Sequence, residues 1–145
     1  MDTINYANVS DISDVPSFHD AEMITVEHRP EDRELVVRFK RMSGEVGAFR
    51  FTGVIAQRIV DFAAQNVVSR LLISPRYEFS SDEVRVWVQW LSSRDDAKAA
   101  PVGSEEADQY VRDFVTGRRA LFILEPSCGA EMAVLCESIW LLRSR

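Results

Sequence analysis

The residues with the widest chemical range in this sequence are few and dispersed. His19-Asp20 pairs an imidazole with a carboxylate, the dipeptide at the core of a phosphohydrolase metal signature. Such a centre needs further histidines and an aspartate delivered from several helices. The chain offers only His28 besides, nine residues on. The ordinary reading is a His19 that bonds to local backbone, and no metal is expected. Cys128 and Cys136 have neither a CxxC spacing nor a histidine neighbour in sequence, which leaves zinc binding and Cys–His catalysis each without a second component. Two buried, reduced thiols are expected instead. The six glycines are scattered, mostly in turns, so no phosphate cradle is legible. Asp61 stands between Val60 and Phe62, where an unpaired charge would be costly. Arg58, Arg70 or backbone amides near Asn66 are its expected partners. A structural ion pair or cap explains it better than a general base, because no second catalytic group accompanies it. No catalytic residue and no cofactor follow from these residues, and no enzyme is expected.

Charge is more informative. The 145 residues carry a net charge of −6, and residues 1–28 hold six of the 23 acids with no lysine or arginine. The rest of the chain is therefore neutral, and the whole surplus lies in its first fifth. An acidic front repels phosphate and steers a basic protein, so nucleic acid is not expected as a partner. The candidate partner-binding residues are Asp11, Asp14, Asp20 and Glu22 on that front. Tyr77, Glu78, Asp82 and Glu83 form a second candidate patch. The plainer alternative is a solvated arm whose acids aid solubility.

The elements that must carry these groups follow from composition and period. At 46% apolar and 28% charged residues, the chain suits one domain, 1–145. Residues 1–16 show no sustained period and are expected as a loosely ordered acidic arm, with at most a short element near Ile12 to Val15. No apolar run reaches the roughly 18 residues that span a bilayer. The N-terminus has neither a basic start nor an apolar core, so a cytoplasmic location and no membrane partner are expected.

Ala21 to His28 and Glu34 to Lys40 alternate as the arms of a hairpin across Arg29-Pro30-Glu31-Asp32, with Leu35, Val37 and Phe39 inward. Val46 to Thr52 adds a third strand with Phe49 and Phe51 inward. Residues 54–66 fit helix and strand spacing equally. Leu71 to Ser74 is expected to be extended ahead of Pro75. Glu83 to Leu91 alternates and is expected as a strand with Val84, Val86, Val88 and Trp90 on one face. Trp87 then lies on the other face, as a core or contact residue. Ser92 to Gly103 reads as a polar loop. Ser104 is expected to cap a helix with an Ala107, Tyr110, Val111, Phe114 and Val115 stripe, stopped by Gly117. Ala120 to Glu125 and Ala130 to Leu142 read as two final strands. The fold class is α+β, an antiparallel meander-type sheet of five to seven strands with one or two helices packed on it.

Two local patterns add a resemblance. Phe18-His19-Asp20-Ala21-Glu22 leads into a hairpin, and Phe51-Thr52-Gly53-Val54 is followed by Arg58, Asp61-Phe62 and Asn66-Val67-Val68. Over residues 17–74 this resembles a group of small bacterial proteins, some of them immunity proteins encoded beside polymorphic or contact-dependent growth inhibition toxins. The resemblance implies an extended segment after Val54 and assigns no catalytic residue. It implies a non-enzymatic protein that neutralises a basic toxin, such as a nuclease, by occluding it. A small ligand-binding or enzymatic domain and a homo-oligomeric module, pairing through the Glu83–Leu91 strand and Trp87, are the alternatives; no small-molecule substrate is expected.

Overall fold

A computed structural model describes residues 2–8 and 15–143, and these residues form nine strands and two α-helices. The strands are β1 (Asp2–Asn5), β2 (Glu22–Arg29), β3 (Glu34–Lys40), β4 (Val46–Thr52), β5 (Ala56–Val60), β6 (Val67–Ile73), β7 (Ala120–Cys128), β8 (Glu131–Cys136) and β9 (Ser138–Arg143). The helices α1 (Ser81–Leu91) and α2 (Ser104–Thr116) lie between β6 and β7. All strands join one antiparallel sheet in the order β1-β9-β4-β3-β2-β6-β7-β8-β5. The α+β class stands, and the strand number is corrected upward from five to seven to nine.

A single residue, Glu137, separates β8 from β9, although the two stand next to opposite ends of the strand order. The sheet must therefore roll until its ends meet there. The Glu137 amide secures the bend by donating to the Thr52 carbonyl at 3.0 Å and the Gly53 carbonyl at 3.2 Å. The facing chain bends at the same level: β4 pairs with β9, while its continuation β5 pairs with β8. The expected single strand from Ala130 to Leu142 is thus two strands serving two different neighbourhoods. Pairing with β8 also settles residues 56–60 as strand, which periodicity left open.

Rolling buries one face of every central strand in a shared interior. Phe18, Phe39, Phe49, Phe51 and Phe122 meet there, with ring centroids 4.9–5.9 Å apart along the chain of contacts. On β6, β7 and β8 the opposite face is buried too. Leu72, Leu121, Ile123, Ala133 and Leu135 point to the helices and pack with Val84, Val88, Leu91, Ala107 and Phe114. Burial on both faces explains why these strands read as continuous apolar runs rather than alternation.

The expected strand at Glu83 to Leu91 is a helix. Ser80 is its N-cap: its hydroxyl accepts from the Glu83 amide at 3.1 Å, and the Glu83 carboxylate accepts from the Ser80 amide at 3.0 Å. This reciprocal pair is a capping box, and Val84, Val88 and Leu91 then recur at helical spacing on the buried side. Trp87 and Trp90 fall on neighbouring turns and meet edge to face at 5.8 Å, so no exposed strand remains there to pair with a second copy. In α2 the cap is Gly103, not Ser104, which is the first helical residue; Gly117 stops the helix in the left-handed conformation, φ 75°, as expected.

Other expectations shift in detail. In β2 a register shift between Met23 and Thr25 turns Met23 into the core and leaves Ile24 and Val26 exposed. Within residues 2–8 of the expected arm, β1 pairs with β9 and the Tyr6 ring is buried beside Phe49. The element expected near Ile12 to Val15 falls mainly outside the described residues. Asp61 is exposed beyond β5, with φ 59°, and its expected partners are engaged elsewhere. Arg58 donates to Asp95 and to the Trp90 carbonyl, both at 2.9 Å, and Arg70 pairs with Glu125. Both cysteines are free, Cys136 buried and Cys128 exposed, which corrects the expectation of two buried thiols.

Two positions yield tests of this frame. Gly129, φ 76°, turns β7 into β8, and a Cβ there would lie 2.3 Å from the Gln65 carbonyl and 2.5 Å from Asn66 Oδ1. That Asn66 oxygen accepts from the Ala63 and Ala130 amides, each at 2.9 Å. Gly129→Ala is expected to lower the unfolding free energy in urea by about 2–3 kcal/mol. An unchanged midpoint would contradict the close approach.

The second position is Glu34, whose side chain is only 10% exposed on the outer face of β3. Arg50 grips its carboxylate at 2.8 and 3.2 Å, and Arg29 adds a contact at 3.2 Å. The Arg50 hydrogen bonds hold the carboxyl below its ordinary range against the opposing effect of burial. Because the folded value is depressed, this contribution is present above the unfolded pKa of about 4.3 and is lost as pH falls through the lower folded one. Glu34→Gln is therefore expected to cost about 1–2 kcal/mol at pH 7 and less at acid pH. An equal cost at both pH values would show that the pairing is not the cause.

Candidate functional site

Two surface regions bring polar groups from separate segments together. The first is a cleft of about 430 Å³ where β6 passes between the segment before β2 and the turn before α1. Tyr6, Phe18, His19, Leu71, Arg76 and Tyr77 line it. His19 is held at its edge: Nδ1 donates to the Ser69 carbonyl at 2.7 Å, and Nε2 stands 3.5 Å from Asp20. The imidazole thus bonds to backbone, but to a strand fifty residues away rather than to its own neighbourhood. His28 lies at the far end of β2. Among the described residues no group of three His, Cys, Asp or Glu could hold a metal ion.

On the opposite wall the Tyr77 hydroxyl donates to Glu83 at 2.5 Å, which raises the phenol above its ordinary range. Burial works to raise Glu83, yet the hydrogen bonds from Tyr77 and Ser80 outweigh it and hold the carboxyl low. Both groups are therefore occupied by the helix cap. Tyr6 is different. Its ring is 2% exposed, its hydroxyl makes no hydrogen bond among the described residues, and burial raises its pKa against the opposing charge of Arg76.

The second region is the N-terminal end of the helical layer. The Ser81 hydroxyl donates to Asp108 at 2.6 Å and ties the first turn of α1 to the second turn of α2. Glu78, Asp82, Glu105, Glu106 and Asp108 are all exposed there. None of these five has an ion-pair partner among the described residues. The nearby cation Arg85 is directed to the Val102 carbonyl at 3.1 Å. Val86, 64% exposed, follows Asp82 by one turn of α1 and adds an apolar contact. Carboxylates at two helix N-termini also match the positive ends of the helix dipoles, so this negative charge is stable where it stands.

The two candidate patches fare differently. Asp11 and Asp14 lie outside the described residues. Asp20 lies in the turn before β2, beside His19, and Glu22 opens β2 opposite Lys40, so the two stand apart from the acidic surface of the helix N-termini. Glu78 and Asp82 do join such a surface, while Tyr77 and Glu83 are engaged beneath it. Glu105, Glu106 and Asp108 were not among the candidate residues read from sequence; bringing them to the same end of the helical layer as Asp82 required the packing of α1 on α2. No helix of the described residues is long and apolar enough to cross a membrane. No family model, curated protein sequence or solved structure matches the chain.

The division between engaged and free carboxylates is measurable. Glu83→Ala is expected to cost about 1–2 kcal/mol of stability through the cap and the Tyr77 bond, whereas Asp82→Ala is expected to stay within about 0.5 kcal/mol. Equal losses in urea titrations of the two variants would contradict the assignment.

Proposed function

We propose that this protein is a non-enzymatic binding protein that neutralises a basic protein toxin by occluding it, in the manner of immunity proteins. The observation that carries the reading is the set of five exposed carboxylates without ion-pair partners among the described residues near the N-terminal ends of α1 and α2, with the exposed Val86 one turn beyond Asp82. A basic partner meeting this face gains fast, salt-sensitive association from the charge and affinity from the apolar contact. The net charge of −6 extends the same attraction to longer range. The helices sit on strands buried on both faces, so the surface is presented by a preformed support, which limits the ordering cost of binding.

The test uses the product of the adjacent gene as the partner. Asp82→Lys combined with Glu105→Lys is expected to slow association by about tenfold or more at low salt and to flatten its dependence on ionic strength. Asp20→Lys, away from the helical face, is expected to change the rate far less. An adjacent product that does not bind, or a rate indifferent to the helical reversals, would remove the reading.

A further inference from the structure

The cleft beside β6 contains two features that the fold does not use. Arg76 lines it without a carboxylate partner among the described residues, although Arg70, also on the cleft, is neutralised by Glu125. Tyr6 lines the same cleft as Arg76, and its hydroxyl makes no hydrogen bond to a described residue. The Tyr6 ring is buried while its oxygen keeps access to the cleft, so the hydroxyl is a donor free for a ligand there. Around these donors the lining is mainly apolar, with Phe18, Leu71 and Ile73 continuing outward from the core beside the polar Ser17, His19 and Ser69.

We infer that this cleft binds a small carboxylate with an apolar body, its carboxylate received by Arg76 and the Tyr6 hydroxyl and its chain lying against Phe18 and Leu71. An arginine fork and one hydroxyl suit a single planar anion, and the apolar lining disfavours a fully hydrated one such as inorganic phosphate. At about 430 Å³ the space falls within the range of small-molecule sites. The chemistry is shared by a free carboxylic acid and by the terminal carboxylate of a peptide ending in an apolar residue. This site departs from the expectation that the chain takes no small molecule, and it stands independently of the acidic helical face.

Calorimetric titration of the full chain with octanoate, octanol, inorganic phosphate and the tripeptide Ala-Ala-Leu, as free acid and as amide, tests it. Saturable binding of octanoate or of the tripeptide acid is expected, with octanol, phosphate and the amide at least about tenfold weaker. Whichever acid binds better identifies the source. Arg76→Gln is expected to weaken the preferred acid by roughly tenfold or more, and Tyr6→Phe by several-fold. Arg76 is exposed and Tyr6→Phe keeps the ring, so both variants are expected to fold, with thermal unfolding as the check. Absence of saturable binding of either acid, binding as tight for octanol as for octanoate, or affinity unchanged in both variants would overturn the site.

Discussion

The bend at Glu137 is the constraint on which the architecture rests. One amide shared between the Thr52 and Gly53 carbonyls lets β8 and β9 belong to the two ends of a single sheet. A flat sheet of nine strands would expose a broad apolar face. Rolled, it encloses its aromatic residues and needs covering only where β6, β7 and β8 are apolar on their outer side as well. The two helices are placed by that need. Their N-terminal ends, and the carboxylates they bear, inherit their position from it.

The outer surface of β3 and β4 shows the contrasting solution. No helix covers it, and Val36 is nonetheless 5% exposed. Its neighbours along and across the strands carry the chain of charges Glu27, Arg29, Glu34 and Arg50, whose aliphatic stems shelter the apolar residue while their heads pair with one another. One half of the sheet is thus sealed by helices and the other by paired side chains. Those four charges are mutually satisfied, while Arg38 and Lys40 farther along the outer face of β3 have no ion-pair partner among the described residues and add positive charge, which does not attract a basic protein. The carboxylates of the helical end are not paired, and this difference singles it out as the surface with unspent negative charge.

Much of the sheet was legible in the sequence because alternation follows directly from a strand with one buried face. Leu35, Val37 and Phe39, and Phe49 with Phe51, point inward as their spacing required. The failure at Glu83 to Leu91 has a specific cause: Val84, Val86, Val88 and Trp90 alternate by coincidence, and only Val84 and Val88 of the three valines are buried. The Ser80-Ser81-Asp82-Glu83 capping signal was present and outweighs alternation once the chain is read for helix starts. β1 could not be read, since Asp2–Asn5 offers one apolar residue and is ordered by its pairing with β9. Asp61 illustrates the limit of local composition, because apolar neighbours in sequence do not imply burial. The cleft was beyond sequence reasoning altogether: Tyr6, His19, Leu71 and Arg76 come from separate segments that only the rolled sheet brings together.

The central claim is that the helical end, not the paired outer sheet, is the face this fold presents to a basic protein. Amide hydrogen exchange of the chain, free and with the adjacent gene's product bound, measures this most directly. The account expects slowed exchange concentrated in residues 78–88 and 104–112, with β3, β4 and β9 unchanged. Protection centred on β3, β4 and β9, with the helix N-termini still exchanging freely, would contradict it.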